Sequence, residues 1–271
     1  MKEKSDAEIF LEYVPAYNIW YKILLLYLYH FLIFILALTF FWWTSSNYYI
    51  LALPTQLFLS LGANIPFIYM FTNIKKIRKK YGEKRDKSSW LHFFYHYSYT
   101  SPLGCAALYS PLILITYNYP NFQIINLPSN IFTRNLLPIY VTIPVSVILF
   151  IFGILLAKAS QGYDGDMHSY LYVMCPKKIS IFRKGIYNYI RHPRFLCRFF
   201  TAFGIGIIAN NLLAILVVLI HFLPYYWWMK TLDYELVRNF GLEIKAYQEK
   251  VNSLFPKFGT WKKVLNILFA S

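Results

Sequence analysis

Long apolar runs, separated by short polar turns and by basic clusters, set the architecture of this chain. A helix needs about 20 mostly apolar residues to cross a bilayer. The runs from about Ile19 to Trp43, Tyr48 to Thr72, Trp90 to Tyr117 and Leu137 to Ala157 all reach that length. Pro102 and Pro111 are the expected kinks of the third run. The next apolar block, Pro193 to Met229, is too long for one span and carries Asn210 and Asn211 near its middle. Asn suits both the left-handed end of one helix and the cap of the next, so a tight helical hairpin is predicted there. Six spans result. After them, Leu232, Leu236, Val237, Phe240, Ile244, Tyr247 and Val251 recur at spacings of three and four, with Asp233, Glu235, Glu243 and Lys250 off the stripe. That period predicts an amphipathic helix lying at the interface or packed back on the bundle.

The predicted fold class is therefore an all-α membrane protein of about six transmembrane helices, with a C-terminal helical hairpin and an interfacial amphipathic tail helix. Residues 1–158 form an N-terminal four-span region. Residues 159–271 form a C-terminal region of loop, hairpin and tail. No internal repeat or low-complexity tract divides the chain further.

Composition agrees: 58% of the 271 residues are hydrophobic and only 14% are charged. A soluble domain is about a quarter charged, and this chain lacks the charge to cover a water-exposed surface. The net charge of +15 alone would suit nucleic acid as well as a membrane. Its placement at the ends of apolar runs selects the membrane and excludes nucleic acid as the partner. Lys75, Lys76, Arg78, Lys79, Lys80, Lys84, Arg85 and Lys87 follow the second span. Lys158, Lys177, Lys178, Arg183, Lys184, Arg191 and Arg194 lie between the fourth and fifth. The Thr44–Asn47 and Asn210–Asn211 turns carry no charge, and the 118–138 loop has only Arg134. By the positive-inside rule, the chain is expected to be a multi-pass integral membrane protein with both termini cytoplasmic. Its basic loops are expected to contact anionic lipid. The first run is too long for a signal peptide's apolar core. Cys105, Cys175 and Cys197 show no paired spacing and are expected to be reduced.

Polar residues concentrate between Gly162 and Pro193 and again between Lys230 and Glu249, two segments that the hairpin can bring together on one side. In the first, Arg191-His192-Pro193-Arg194 opens the fifth span. Pro193 suits the first helical position, and His192 then sits at a helix N-terminus, which favours an anion. Arg191 adds fixed positive charge for a carboxylate or phosphate. Arg194 and Arg198 either share that role or anchor the chain to lipid phosphates. His92 and His96 stand four apart, but an aromatic belt explains their region and no third ligand is near, so no metal site is expected. His30 and His221 lie within spans and mark packed polar contacts. Asp164-Gly165-Asp166-Met167-His168 is either a plain acidic turn or a head-group site, the latter through Asp166 and His168.

The stretch from Gly185 to Phe195, the hairpin after it and Asp233 to Pro256 together resemble the C-terminal half of the isoprenylcysteine carboxyl methyltransferase and phospholipid methyltransferase superfamily. The shared features are Gly-x-Tyr-x-x-x-Arg-His-Pro from Gly185 to Pro193, then an acidic residue ahead of Phe240-Gly241, Tyr247 and a Val-x-x-x-x-Pro ending at Pro256. The resemblance covers roughly the last third of the chain. It implies an S-adenosylmethionine cofactor bound without a Rossmann fold, and the chain indeed has no Gly-x-Gly-x-x-Gly loop or P-loop. It further implies that Gly185, Tyr187, Arg191, His192, Pro193 and Tyr247 bind the cofactor, and that Arg191 with Asp233 or Glu235 serves catalysis. In two places the chain departs from the family. Phe195 stands one place beyond the expected aromatic with no Gly following, and the family's paired glutamates fall on Leu232-Asp233. The expected reaction is methyl transfer to a phospholipid amine or a prenylcysteine carboxylate. An NADPH-dependent sterol or lipid reductase shares a similar layout but carries Asn-Tyr where this chain has Arg194-Phe195. A non-enzymatic transporter or scaffold would keep Gly204 and Gly206 for packing and leave the one-sided polar cluster unexplained.

Overall fold

The structure, a computed structural model, describes residues 20–81, 96–115, 130–160, 173 and 184–270. These residues are helical, with only two isolated bridge pairs joining extended backbone. Helix α1 runs Trp20–Asn47 and a 3-10 turn at Tyr49–Leu51 leads into α2, Ala52–Thr72. The basic α3, Ile74–Tyr81, follows directly. Helix α4 is Thr100–Tyr109, continued by a 3-10 turn over Ser110–Leu114. Helix α5 is Ile139–Ala159, and the hairpin is α6, Pro193–Ala209, with α7, Leu212–Phe240. Two short helices close the chain, α8 at Leu242–Lys250 and α9 at Trp261–Ala270.

Four segments are long and apolar enough to cross a membrane: Leu24–Asn47, Tyr49–Thr72, Ile139–Ala159 and Leu212–Phe240. They match the first, second and fourth predicted runs and the second arm of the hairpin. Leu28, Phe31, Leu32 and Leu36 on α1 and Ile148, Ile151 and Ile154 on α5 are all exposed. An apolar surface of that extent is stable against lipid and not against water. Helix α6 is 17 residues long, about 26 Å, and falls short of that length. Of the predicted third span, only residues 96–115 are described: residues 96–98 are helical, Tyr99 is a turn, and α4 starts at Thr100. Pro102 stands just past the interruption at Tyr99, whose backbone is itself helical (φ −62°, ψ −18°). It occupies the first turn of α4, where its missing N–H has no partner to lose, while Pro111 switches the chain to 3-10 geometry.

The hairpin turns at the two asparagines. Asn210 adopts the left-handed conformation (φ 58°) that ends α6, and the Asn211 side chain accepts the Ala214 N–H at 2.8 Å as the cap of α7. Both also tie in neighbours. Asn210 exchanges hydrogen bonds with the Leu137 backbone (2.9 and 2.8 Å), and Asn211 Nδ2 donates to the Leu114 carbonyl at 2.6 Å. Helices α5 and α6 approach closely at Gly153, where a Cβ would stand 2.7 Å from Thr201 Oγ1 and 3.3 Å from the Cys197 carbonyl. Helix α7 packs along α2, and α9 lays Val264 and Leu268 against Leu156, Ile186 and Leu196.

Charge separates between the two ends of this bundle. At the Asn210–Asn211 end, the described residues carry only Arg134. At the other end lie α3, whose Arg78 Nε donates to the Val173 carbonyl at 2.6 Å, together with Lys158, Lys184, Arg191 and Arg194.

The tail differs from its prediction. Leu232 to Phe240 does not begin a separate helix; it extends α7, whose 29 residues span about 43 Å, beyond the ~30 Å of hydrocarbon. The break falls at Gly241, in the left-handed region at φ 73°, and α8 follows it. Of the predicted apolar stripe, Ile244 and Val251 are buried, but over the part that extends α7 the most buried residues are two acids. Asp233 and Glu235 are 8% and 3% exposed, whereas Leu232, Leu236, Val237 and Phe240 are only half-buried. Asp233 finds tertiary partners in Arg191 and His192, whereas Glu235 pairs within its own helix with Arg238 and Asn239.

Candidate functional site

At the charged end of the hairpin, a 3-10 turn over Gly185–Asn188 leads to Tyr189, Ile190 and the start of α6. Gly185 holds φ at 60°, and a Cβ there would meet nothing; the backbone conformation, not space, asks for glycine. Ile186 and Ile190 bury against Leu156 and α9, which fixes the turn on the bundle. His192 is the N-cap and Pro193 the first residue of α6, as predicted.

A strap from the tail holds this segment from the other side. The Arg191 N–H donates to the Asn252 carbonyl and the His192 N–H to the Ser253 carbonyl, each at 3.0 Å. Tyr247 Oη donates to the Tyr187 carbonyl at 2.7 Å. Gln248 Nε2 donates to the Asp233 carbonyl at 2.8 Å. Asn252, Ser253 and Gln248 were missed from the sequence. Only the Val251–Pro256 spacing hinted at them, because backbone-mediated contacts leave no side-chain signature.

The strap brings the functional side chains together. Asp233 Oδ1 lies 2.9 Å from Arg191 Nη1 and 2.9 Å from His192 Nε2. The three side chains are only 11–13% exposed. Arg191 Nη1 makes its ion pair without hydrogen-bond alignment, and among the described residues neither it nor Arg191 Nε has a hydrogen-bond acceptor, although both are buried. A buried guanidinium with two such N–H groups, beside a helix N-terminus, has capacity for a further carboxylate. Asp233 is the acid that joins Arg191 and His192. Glu235 turns to Arg238 Nη1 (3.2 Å) and to the Asn239 side chain, which donates to its carbonyl at 2.7 Å. The phenol of Tyr187, 8% exposed, has its pKa pushed up to about 12 by burial, partly opposed by the Arg194 guanidinium that hydrogen-bonds it. Tyr187 is therefore a neutral donor at physiological pH. Asp166 and His168 lie outside the described residues.

Further along the hairpin, the aromatic rings form a stack. Phe195 lies parallel to Tyr225 (4.6 Å, 6°), and Tyr225 to Trp228 (5.1 Å, 16°). Arg198 Nη1 donates to Tyr225 Oη at 3.2 Å. In that part of the bundle His221 Nδ1 is 3.0 Å from Ser60 Oγ.

No curated protein and no solved structure matches this chain. Residues 141–240, which run from the first turn of α5 through the Arg191–Asp233 cluster to the end of α7, match the family model described as phospholipid methyltransferase. Over this segment, rather more than a third of the chain, the protein is similar to the phospholipid methyltransferases, a family of integral membrane methyltransferases.

Proposed function

We propose that the protein transfers a methyl group from S-adenosylmethionine to a lipid or isoprenoid-linked acceptor, a phospholipid amine or a prenylcysteine carboxylate. The observation that carries this reading is the Arg191–His192–Asp233 cluster inside the family-matched segment, with buried guanidinium N–H groups awaiting an acceptor. The residues fit the cofactor: its amino-acid end carries a carboxylate and an ammonium, and the cluster offers a cation, a helix N-terminus and an acid.

The cofactor supplies an electrophilic methyl on a sulfonium. Arg191, through Nε and Nη1, and the first-turn N–H groups of α6 bind the carboxylate. Asp233 holds Arg191 and His192 through Oδ1, which leaves Oδ2 for the ammonium. His192 keeps Asp233 in place, and Pro193 starts the helix that aims these groups. Gly185 and Tyr187 shape the turn, and Tyr187 with Tyr247 forms the slot for the adenosine. Glu235, with Asp233, is the acid that can take a proton from an amine acceptor. Asp166 and His168 contact the acceptor's head group. Methyl transfer is an in-line displacement, so positioning and exclusion of water supply most of the rate.

The chain crosses the membrane six times, with α6 and the segment around α4 as the two further spans. Both termini face the cytoplasm, and the basic loops rest on anionic lipid. Residues 1–158 supply four spans and the walls for the acceptor, and residues 159–271 carry the cofactor.

The test is a thermal-shift titration of detergent-purified protein with S-adenosylhomocysteine and, separately, NADPH. At a hundredfold excess over Kd, S-adenosylhomocysteine adds about 2.7 kcal/mol of stability. Stabilisation by NADPH alone would make the protein a reductase, and by neither would favour a transporter or scaffold. Arg191→Ala and His192→Ala are each expected to lose the S-adenosylhomocysteine shift at near-normal expression, and a retained shift overturns these assignments.

A further inference from the structure

A second polar site lies deeper in the bundle, apart from the Arg191–Asp233 cluster. A partly enclosed cleft of about 40 Å³ opens between α2, α4, α6 and α7, lined by Asn64, Thr100, Arg198, His221, Tyr225 and Trp228 among others. Arg198 lines this cleft from an otherwise largely apolar helix, and an ionisable residue so placed among membrane helices is a candidate for function. Packing alone would be served by leucine. Arg198 is also held in place. Its Nη1 bonds Tyr225 Oη at 3.2 Å, and its guanidinium carbon sits 5.4 Å from the centre of the Tyr225 ring. The stack of Phe195, Tyr225 and Trp228 fixes that ring. His221, bonded to Ser60, lies near-parallel to the same ring (6.3 Å, 18°). Among the described lining residues none is a carboxylate. The walls present a cation, an amide and a hydroxyl, set among apolar and aromatic faces.

We propose that this cleft receives the anionic group of the lipid acceptor and that Arg198 is the residue that binds it. The proposal rests on the methyltransferase reading above and deepens it. Arg198 stands six residues into α6 from His192, about 9 Å along the axis. Trp228 precedes Asp233 by five residues on α7, about 7.5 Å. The anion subsite thus lies about a turn and a half further into the hairpin than the donor cluster. A lipid anchored there by its phosphodiester or carboxylate extends its acceptor atom toward the cytoplasmic end, where the methyl is held, with its chains among the apolar helices. A guanidinium is planar and forked, suited to two oxygens of one anion.

The experiment measures Kd on the full-length, detergent-purified protein for dioctanoyl phosphatidylethanolamine, S-farnesylcysteine, dioctanoylglycerol and inorganic phosphate. Wild type is compared with Arg198→Gln, Arg198→Lys and Tyr225→Phe. Arg198→Gln is expected to raise the Kd of the phosphodiester or of the carboxylate lipid by about tenfold or more. The lipid so affected identifies the anion. Arg198→Lys restores part of the affinity, and Tyr225→Phe, which keeps the ring and removes the aiming bond, weakens it by about threefold. Dioctanoylglycerol, which has no anion, should bind all variants alike. Three results overturn the proposal: unchanged affinity for both anionic lipids, an equal loss for dioctanoylglycerol, or inorganic phosphate competing as well as the lipids do. S-adenosylhomocysteine affinity within twofold of wild type certifies that Arg198→Gln is folded, and if it is not, Tyr225→Phe decides. Failure of wild type to bind S-adenosylhomocysteine ends the methyltransferase reading, while dependence of lipid binding on Arg198 is read independently.

Discussion

Replacing Asp233 with Asn changes one buried charge and almost no volume. In the folded protein its Oδ1 lies 2.9 Å from both Arg191 Nη1 and His192 Nε2, with all three side chains nearly nine-tenths buried. Asparagine keeps an acceptor oxygen, so the contacts survive at neutral strength. A hydrogen bond to a charged group contributes about 1.5–3 kcal/mol and a neutral one about 0.5–1.5, so weakening the His192 bond costs about 1 kcal/mol and loss of the Arg191 ion pair brings the local cost to about 2 kcal/mol. The upper bound is the ~3–5 kcal/mol of a broken buried ion pair. If the cluster holds the amino-acid end of the cofactor, about 2 kcal/mol appears as a roughly 30-fold weaker Kd for S-adenosylhomocysteine. Calorimetric titration also with 5′-methylthioadenosine, which lacks that end, separates site from scaffold, because its Kd should move less than about threefold. Glu235→Gln is the contrast. Its partner Arg238 is 54% exposed, and pairs with an exposed partner contribute about 0–1 kcal/mol, so S-adenosylhomocysteine affinity should barely change. Unaltered S-adenosylhomocysteine binding by the Asp233 variant, or equal weakening of both ligands, refutes the assignment of Asp233 to the amino-acid end.

Two further outcomes follow from the packing. Gly153→Ala places a methyl 2.7 Å from Thr201 Oγ1, and such overpacking costs about 1–3 kcal/mol; a detergent thermal melt should show the loss, and adding Thr201→Ala should recover part of it. For Tyr187, burial raises the folded pKa from 10.0 to about 12, so its contribution is present below pH 10 and is lost as pH rises toward 12. The loss is about 2–3 kcal/mol by linkage, and comparing unfolding free energies at pH 9 and 11.5 should show a smaller drop for Tyr187→Phe than for wild type.

Hydrophobic run lengths were sufficient to locate the membrane helices, because a spanning helix must satisfy its own backbone and present apolar side chains over a fixed thickness. That constraint is local, so α1, α2, α5 and the hairpin turn at Asn210–Asn211 were legible in the residues themselves. The start of α6 was legible for a similar reason, since Pro193 and His192 suit a helix N-terminus wherever it packs. The tail was not. Its period of three and four placed Leu232, Leu236 and Val237 inward, whereas the structure buries Asp233 deeper than any of them, because Arg191 and His192 from the start of α6 meet it there. Which of the two acids meets Arg191 depends on how α7 is rotated against the strap from Asn252 and Ser253, a backbone contact with no signature in sequence. Arg198 shows the same limit: one more basic residue near a membrane surface in sequence, but a fixed wall of a buried cleft once Tyr225 and Trp228, some thirty positions away, stack beside it. Periodicity reports only what a helix presents; the partners that make burying a charge favourable arrive from elsewhere in the chain, and only the tertiary structure assembles them.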